Sequence, residues 1–498
     1  MTLSLDFTPV TVPDELLVGG RWRRGGGRLM QPRNPADGQP LAAIHGADAS
    51  DVDDAIRRGL AAARADSWRN LLPHQRASYL CEIGRLIDQH ADWLAGLQTA
   101  NTGKTLTETR ALVASAANTF RFFAAALTTQ EDEVPAATGS YLTMSVQEPI
   151  GVIGAITPWN SPIASDAQKI APALAAGNAV VLKPAEWTPL VSLALGRLIA
   201  DSGLPAGLLS VLPGQGSVVG DAIVRHPDVG KVSFTGGTAT GRLIGATAAS
   251  KVMPVSLELG GKSPTIVLPD ADLRHAIPGI LFGIFSSSGQ SCIAGSRLFL
   301  PEARYQEILT ELVARTTRLR VGPGTDPRTQ VGPLVTFAHR DAVSCMVDAA
   351  RAEGARVLCG GEPPRGANYE RGAYYLPTVL DGLANSSTTC QQEIFGPVLV
   401  ALPYRDEDDL VTQANDSVYG LACGIWSRDY QRAWQLARRI EAGTVWVNTY
   451  KQFSISTPFG GMKASGIGRE KGRAGIAAYS RQKSIYWGMS PDPIGWAQ

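Results

Sequence analysis

The sequence predicts an α/β fold of more than one domain, built on a parallel sheet with crossover helices. Three observations carry this. From residue 148 onward, short β-branched runs ending in Gly, Pro or Asn alternate with helical stretches, the pattern of strands buried on both faces. The chain has 498 residues, about three times the usual single-domain length, so two or three cores are expected. With 44% hydrophobic and 18% charged residues, the composition is globular and argues against wholesale disorder.

Residues 13–40, rich in Gly, Pro and Arg, read as loops with short strands. Arg21, Arg23 and Arg24 around Trp22 read as a solvated turn, too few charges for an anion patch. Ser50 opens a capping-box pattern with Asp53, and Ile56, Leu60 and Ala63 follow at helical spacing. A second helix is expected over 75–98, with Leu80, Ile83, Leu86, Ile87, Trp93 and Leu97 on one face. Cys81 and His90 adjoin that face as packed side chains. Strands are then expected in EPIGVIGAITPWN, GNAVVLKPAE, GLLSVLPG and VGKVSFTGG, separated by helices at 164–176, 190–202 and 220–225. In parallel sheets ligands collect beyond the carboxyl ends of the strands. There stand Trp159 and Asn160, Lys183 and Glu186, and the turn from Gly236 onward.

After Leu257-Glu258-Leu259-Gly260-Gly261 a second alternating region begins, with strands at 264–268, 296–300 and 444–448 and helices at 273–285 and 303–317. The Gly260-Gly261 pair reads as a hinge between two α/β domains, with the chemistry at their seam. Residues 131–149 and 480–487 are β-prone pieces outside both blocks, able to pair with each other or with a second subunit.

Several classes are disfavoured. Forty-six Lys+Arg against 45 Asp+Glu leave a net charge of +1, with no electrostatic footprint for nucleic acid. No apolar run approaches the roughly 18 residues of a membrane crossing, and MTLSLDFTPV lacks the pattern of a secretory signal. A cytoplasmic protein is expected. The six cysteines contain no CxxC pair, which argues against structural zinc, and no metal site is expected.

The residues suited to chemistry each admit a plainer reading. VSFTGGTATG (232–241) runs from strand through turn into helix, where bare amides suit a phosphate, but an ordinary βα turn looks the same. It is neither a P-loop, since Arg242 and Leu243 follow Gly241, nor GxGxxG. Lys183 and Glu186 at a strand end either grip both hydroxyls of an adenosine ribose or form a surface ion pair. A carboxylate there would repel a ribose 2′-phosphate. Cys292 lies in FSSSGQSCIAG, whose small residues give a nucleophilic thiol access, whereas Cys81, Cys345 and Cys423 sit in apolar patterns. A small core residue is the plain alternative. Glu258, between two leucines, is either a desolvated carboxyl of raised pKa suited to general-base work or a strand residue pointing to solvent. Asn160 offers an amide to a developing oxyanion, or is a turn residue.

Together, TPWN at 157–160, KPAE at 183–186, FTGGTATG at 234–241, ELGGKSP at 258–264, GQSC at 289–292, QEIFGPV at 392–398 and PFGGMKASGIGRE at 458–470 resemble the aldehyde dehydrogenase superfamily. The resemblance covers nearly the whole chain. It implies a Rossmann-like NAD-binding domain over 1–130 and 150–261 and an α/β catalytic domain over 262–470. It also implies a small β oligomerisation arm over 131–149 and 471–498, which mediates dimers or tetramers in the family. Cys292 would attack the aldehyde carbonyl, and the oxyanion would rest on the Asn160 amide and the Cys292 backbone N–H. Glu258 would activate the water that hydrolyses the thioester to an acid. Lys169 and Glu470 match positions assigned a proton relay, with a structural salt bridge as the alternative. The cofactor implied is NAD, with NADP as the alternative. Lys183 and Glu186 would hold its adenosine ribose and the Gly236, Gly237 and Gly241 turn its pyrophosphate. Glu393 would bind the nicotinamide ribose, with Phe395 against the ring. Ile156, Thr157, Pro158, Trp159, Gly216 and Phe234 complete the cofactor set. Retention of Glu258 favours hydrolysis over transfer to coenzyme A. Gln392 stands where an acidic residue is usual.

By the same resemblance Ser161, Ser165, Gln168, Ser291, Ile293, Phe453 and Phe459 face the aldehyde tunnel. Without Arg near Gln168 there is no cationic clamp for an acidic semialdehyde. Without Trp at 168 an aromatic cage for betaine aldehyde is incomplete. A medium-sized aldehyde, cyclic or polar-substituted, is expected; a semialdehyde or betaine-aldehyde enzyme, with NADP, is the alternative. A noncatalytic structural relative would have lost Cys292, Glu258 or Asn160, and all three are present.

Overall fold

In the computed structural model, which describes residues 14–136, 139–492, 494 and 496, two large sheets organise the chain. The first has eight strands in the order Arg21–Arg23, Leu16–Val18, Leu209–Val211, Ala179–Lys183, Val152–Ile156, Val229–Thr235, Val255–Glu258 and Gly466–Ile467. Its five central strands are parallel, and the edge pairs are antiparallel. Numbered by chain position, those five run 3-2-1-4-5, so the order reverses between Val152–Ile156 and Val229–Thr235 and a crevice opens at their carboxyl ends. Helices Pro162–Ala175, Leu190–Asp201 and Thr238–Ser250 make the crossovers. The strands read as continuous apolar runs because both faces are covered: every residue of Val152–Ile156 and Ala179–Lys183 is buried.

The second sheet has seven strands, ordered Arg356–Cys359, Thr378–Asp381, Val398–Tyr404, Arg297–Pro301, Pro264–Val267, Ala422–Trp426 and Thr444–Val447. Only its first pair is antiparallel. Separate apolar cores cover its two faces, one including Phe299, Val400 and Ile425, the other Leu298, Leu399 and Phe285. The first sheet has its own core, which takes in Ile476 and Tyr479. That corrects the expected arm: residues 474–479 pack as part of the first core, and strand Gly466–Ile467 joins its sheet, because their apolar side chains find cover there. The arm proper is Tyr141–Pro149 paired antiparallel with Ser480–Gly488, from Ser480 opposite Pro149 to Gly488 opposite Tyr141.

Three local expectations also change. Asp48, not Ser50, caps helix Ala49–Arg64; its carboxylate accepts from the Ser50 and Asp51 N–H groups, and Asp51 reaches back to the Asp48 N–H. Ser50 already lies inside the helix. The single helix expected over 75–98 is two, Pro73–Gln89 and Ala91–Thr102, because His90 leaves helical backbone at φ −109° and ψ 19° with no Gly or Pro to announce it. Cys81 is exposed rather than packed. Helix Leu106–Thr128 is long and apolar enough to cross a bilayer by composition alone, despite its charged residues. Here it buries Phe120 and Phe123 in the first core and packs against helices Pro73–Gln89 and Pro162–Ala175.

Candidate active site

A cavity of about 1130 Å³ opens at the carboxyl ends of the first sheet and runs to the seam with the second. Its walls include Ile156, Thr157, Pro158, Trp159, Lys183, Glu186, Gly216, Phe234, Gly236, Gly237, Glu393 and Phe395, and also Asn160, Glu258 and Cys292. Thus the strand-end residues of four separate motifs meet in one space.

At the outer end, Lys183 is buried, which lowers its pKa, while the nearby Glu186 carboxylate holds it up. Glu186 has both oxygens engaged: one accepts the Gly216 N–H at 2.8 Å, the other faces the Arg28 guanidinium at 3.1 Å. The ion pair weighed for Lys183 is therefore made by Arg28, which sequence reasoning missed; its partner lies 158 positions away. Helix Thr238–Ser250 begins beside the cavity with Gly237 at its cap and no side-chain cap, so its first amides are bare. Gly241 corrects the expectation for that turn. It is absent from the cavity wall, and a Cβ there would stand 2.3 Å from Leu259 Cδ2, so its bareness serves helix–strand packing.

At the inner end, the Glu393 carboxylate accepts the Gly261 N–H at 3.0 Å. A Cβ on Gly260 would meet its other oxygen at 2.3 Å, so the glycine pair makes room for this carboxylate. Burial raises its pKa to about 7. Phe395, held at φ +57°, stands edge-on to Trp159 at 5.2 Å between ring centroids. His339 and Trp187 complete this aromatic wall, at 5.2 and 5.6 Å from Trp159. Both escaped sequence reasoning. Trp187 directly follows KPAE, which was a signal; His339 comes from the second lobe and had none.

On the cavity floor, Asn160 Nδ2 donates to the Gln290 carbonyl at 3.0 Å, tying the amide to the loop of Cys292. Glu258 is 4% exposed, and neither carboxyl oxygen has a hydrogen-bond partner among the described residues. Burial, then the Glu470 charge, pushes its pKa well above the usual carboxylate range. The Cys292 thiol is pushed up to about 12, by burial first and then by the Glu393 and Glu258 carboxylates, against a pull from Lys451.

Lys169 lies off the cavity. Fully buried, it pairs with Glu470 and donates to Ser233 Oγ at 2.9 Å. Lys169→Met leaves the Glu470 charge without its partner, so a stability loss of about 3–5 kcal/mol is expected in urea unfolding. Pairing it with Glu470→Gln should restore most of that. A loss below roughly 1 kcal/mol, the range of surface pairs, would contradict the buried bridge.

The expected tunnel residues do not line this cavity. On helix Pro162–Ala175 only Ser165 and Gln168 escape full burial, and Ser161 stands at its cap. Phe453 and Phe459 stack edge to face at 5.4 Å. Phe459 and Cys292 pack on one small cluster that contains Ile293. Ser291, half-buried, precedes the thiol.

A doubly wound sheet, a cleft of dinucleotide size and a cysteine at the seam of two lobes define a class of α/β oxidoreductases. The chain belongs to the aldehyde dehydrogenase family, whose model matches residues 22–485. It is accordingly an oxidoreductase acting on aldehydes. The phenylacetaldehyde dehydrogenase of Pseudomonas fluorescens is 40% identical over 490 residues, covering 95% of this chain and 96% of the relative. The fold is similar to the NAD+ complex of an aldehyde dehydrogenase from Bacillus cereus, with a TM-score of 0.93 and 36% identity over 96% of each chain. It is similar also to betaine aldehyde dehydrogenase from Staphylococcus aureus in complex with NAD+, with a TM-score of 0.96 and 34% identity over 98% of this chain and 97% of that one.

Proposed function

We propose that the protein oxidises a medium-sized aldehyde to the free carboxylic acid with NAD, through a thioester on Cys292. The observation that carries this is Glu258: a buried, unpartnered carboxyl of raised pKa on the wall of the cavity that also holds Cys292. A group so costly to bury, beside a thiol, is suited to activating water.

The residues fit the cofactor. The bare first amides of helix Thr238–Ser250, after the Gly236-Gly237 turn, suit a pyrophosphate, Lys183 and Glu186 the adenosine ribose, Glu393 the second ribose, and Phe395 with Trp159 the nicotinamide. Bound there, nicotinamide supplies the hydride acceptor. The Glu186 carboxylate disfavours a 2′-phosphate, which makes NAD the preferred form.

Cys292 sulfur bonds to the aldehyde carbon, the thiol proton leaves to water, and the Asn160 amide with the Cys292 N–H steadies the oxyanion. Loss of hydride from that carbon leaves the thioester. Glu258 then takes a proton from the water that attacks the thioester, the acid departs and the thiolate is freed. Lys169 and Glu470 act as a positioning pair behind Glu258. Ser161, Ser165, Gln168, Ser291, Ile293, Phe453 and Phe459 form the aldehyde tunnel. Its polar helix face leaves room for ring-sized or polar-substituted substrates.

The arm of Tyr141–Pro149 and Ser480–Gly488 exposes Tyr141, Tyr486 and Trp487, which supports a dimer or tetramer built through it. The domain division proposed is a coenzyme lobe around the first sheet, a catalytic lobe around the second, and this arm. A cytoplasmic setting is consistent with six unpaired cysteines.

Incubation with NAD and a panel of aliphatic and aromatic aldehydes, without coenzyme A, should yield NADH and carboxylic acid one to one. NADH appearing only with coenzyme A, or no acid from any aldehyde, would overturn the hydrolytic reading.

A further inference from the structure

The loop that begins just after Tyr450 and the segment after Glu470 each carry a lysine that this chemistry does not use. Lys471 is 7% exposed, yet among the described residues its ammonium has no salt bridge or hydrogen-bond partner. Its Nζ stands 3.9 Å from the ring centroid of Phe453 and 5.4 Å from that of Phe459. Phe459 packs with Cys292 on the Ile293–Tyr450 cluster, and Phe453 is 48% exposed, so this aromatic wall runs from solvent to the thiol. Lys451 approaches from the other end of the loop. Its Nζ donates to Ser286 Oγ at 2.8 Å, in the turn that leads to Cys292. Both lysines are held in the left-handed backbone region, at φ +62° and +55°, where a side chain is strained and persists only if its surroundings demand it.

Glu470 is paired with Lys169 and Glu393 is hydrogen-bonded at the cofactor end, so neither carboxylate is given over to Lys471; burial disfavours the charged form of Glu258, the other carboxyl that acts on this lysine. The single Glu108 carboxylate is shared between Lys104 and Lys451. Burial lowers Lys471 to about 8, against the pull of Glu470 and Glu258, and Lys451 to about 7, against that of Glu108. An ammonium resting on ring faces, with no carboxylate bonded to it among the described residues, is stabilised most by an incoming anion.

We propose that Lys471 makes the aldehyde tunnel selective for substrates that carry an anionic group, such as a carboxylate, remote from the aldehyde. This rests on the oxidation reading above and narrows its substrate class. It reverses the expectation drawn from the lack of Arg near Gln168: the cation comes from the C-terminal segment instead. The same field repels a quaternary ammonium substrate.

The test compares 4-carboxybenzaldehyde with methyl 4-formylbenzoate, equal in ring and reacting group, at pH 7.5 with NAD. The carboxylate should show kcat/KM at least about tenfold above the ester, the scale of one good charge contact. Lys471→Met should erase most of that ratio through KM, and Lys471→Arg should keep it. Lys471→Gln replaces the Met variant should that one fail to fold. A second readout needs no turnover: alkylation of Cys292 by iodoacetate and by iodoacetamide, whose rate ratio should fall by about threefold or more in Lys471→Met as the local field is lost. Equal kcat/KM for the two aldehydes in the natural protein, or ratios that Lys471→Met leaves unchanged, overturns the proposal. Failure of both aldehydes to be oxidised, with the alkylation ratio still falling, would instead reject the oxidation reading and leave the cationic tunnel standing.

Discussion

Cys292→Ala is expected to lower aldehyde-dependent NADH formation by at least about a thousandfold, because the bond that turns a neutral aldehyde into an anionic hydride donor can no longer form. Cofactor binding should survive, since Lys183, Glu186, Glu393 and Phe395 lie elsewhere along the cavity. Turnover at ordinary rates would reject Cys292 as the nucleophile. Mass spectrometry of the natural protein quenched during turnover should show an acyl adduct at Cys292, lost in the variant. The pKa of the thiol sharpens the test. With burial pushing it up to about 12, the thiolate is scarce at neutral pH and gained as pH rises. Alkylation of the NAD-free protein by iodoacetamide should therefore accelerate about tenfold per pH unit between roughly pH 7 and 10. A plateau below about pH 9 would mean that the thiol is already ionised and that burial does not govern it.

Glu258→Gln should separate the two halves of the reaction. The amide has the shape of the carboxyl but cannot take a proton from water, so thioester hydrolysis slows while thioester formation proceeds. The first turnover should release a burst of NADH of up to one per active site, followed by a steady rate reduced by about 10²–10⁴. Hydroxylamine, which attacks thioesters without a protein base, should restore part of that rate. In the natural protein the raised carboxyl pKa means that Glu258 is protonated, and idle as a base, at low pH. The steady rate should therefore climb with pH as it ionises, and the variant should lose that limb. A missing burst would place Glu258 in thiol activation rather than in hydrolysis.

The strand-end residues were legible in the sequence for a plain reason. Short apolar runs closed by Gly, Pro or Asn are written locally, and the parallel sheet then puts Asn160, Lys183, Gly236 and Glu258 at one edge whatever the rest does. Features that depend on distant partners were not legible. Arg28 on Glu186, His339 beside Trp159 and Lys471 over Phe453 each join segments far apart or conformations that no local pattern announces. His90 breaks a helix without a breaker residue, and the second helix then buries Leu94 and Ala95 in the first core.

By itself, then, the amino-acid order determined the alternation of strands and helices, the glycines that let backbone and carboxylate approach, and which thiol sits in a loop of small residues. Tertiary structure alone decided which charges are dry and which are paired: Glu258 bare, Lys169 matched with Glu470, and Lys471 left resting on two rings. The physical reason is that hydrogen-bond and helix periodicity act over a few residues, whereas desolvation and Coulomb interaction depend on distance in space, which only the folded chain sets.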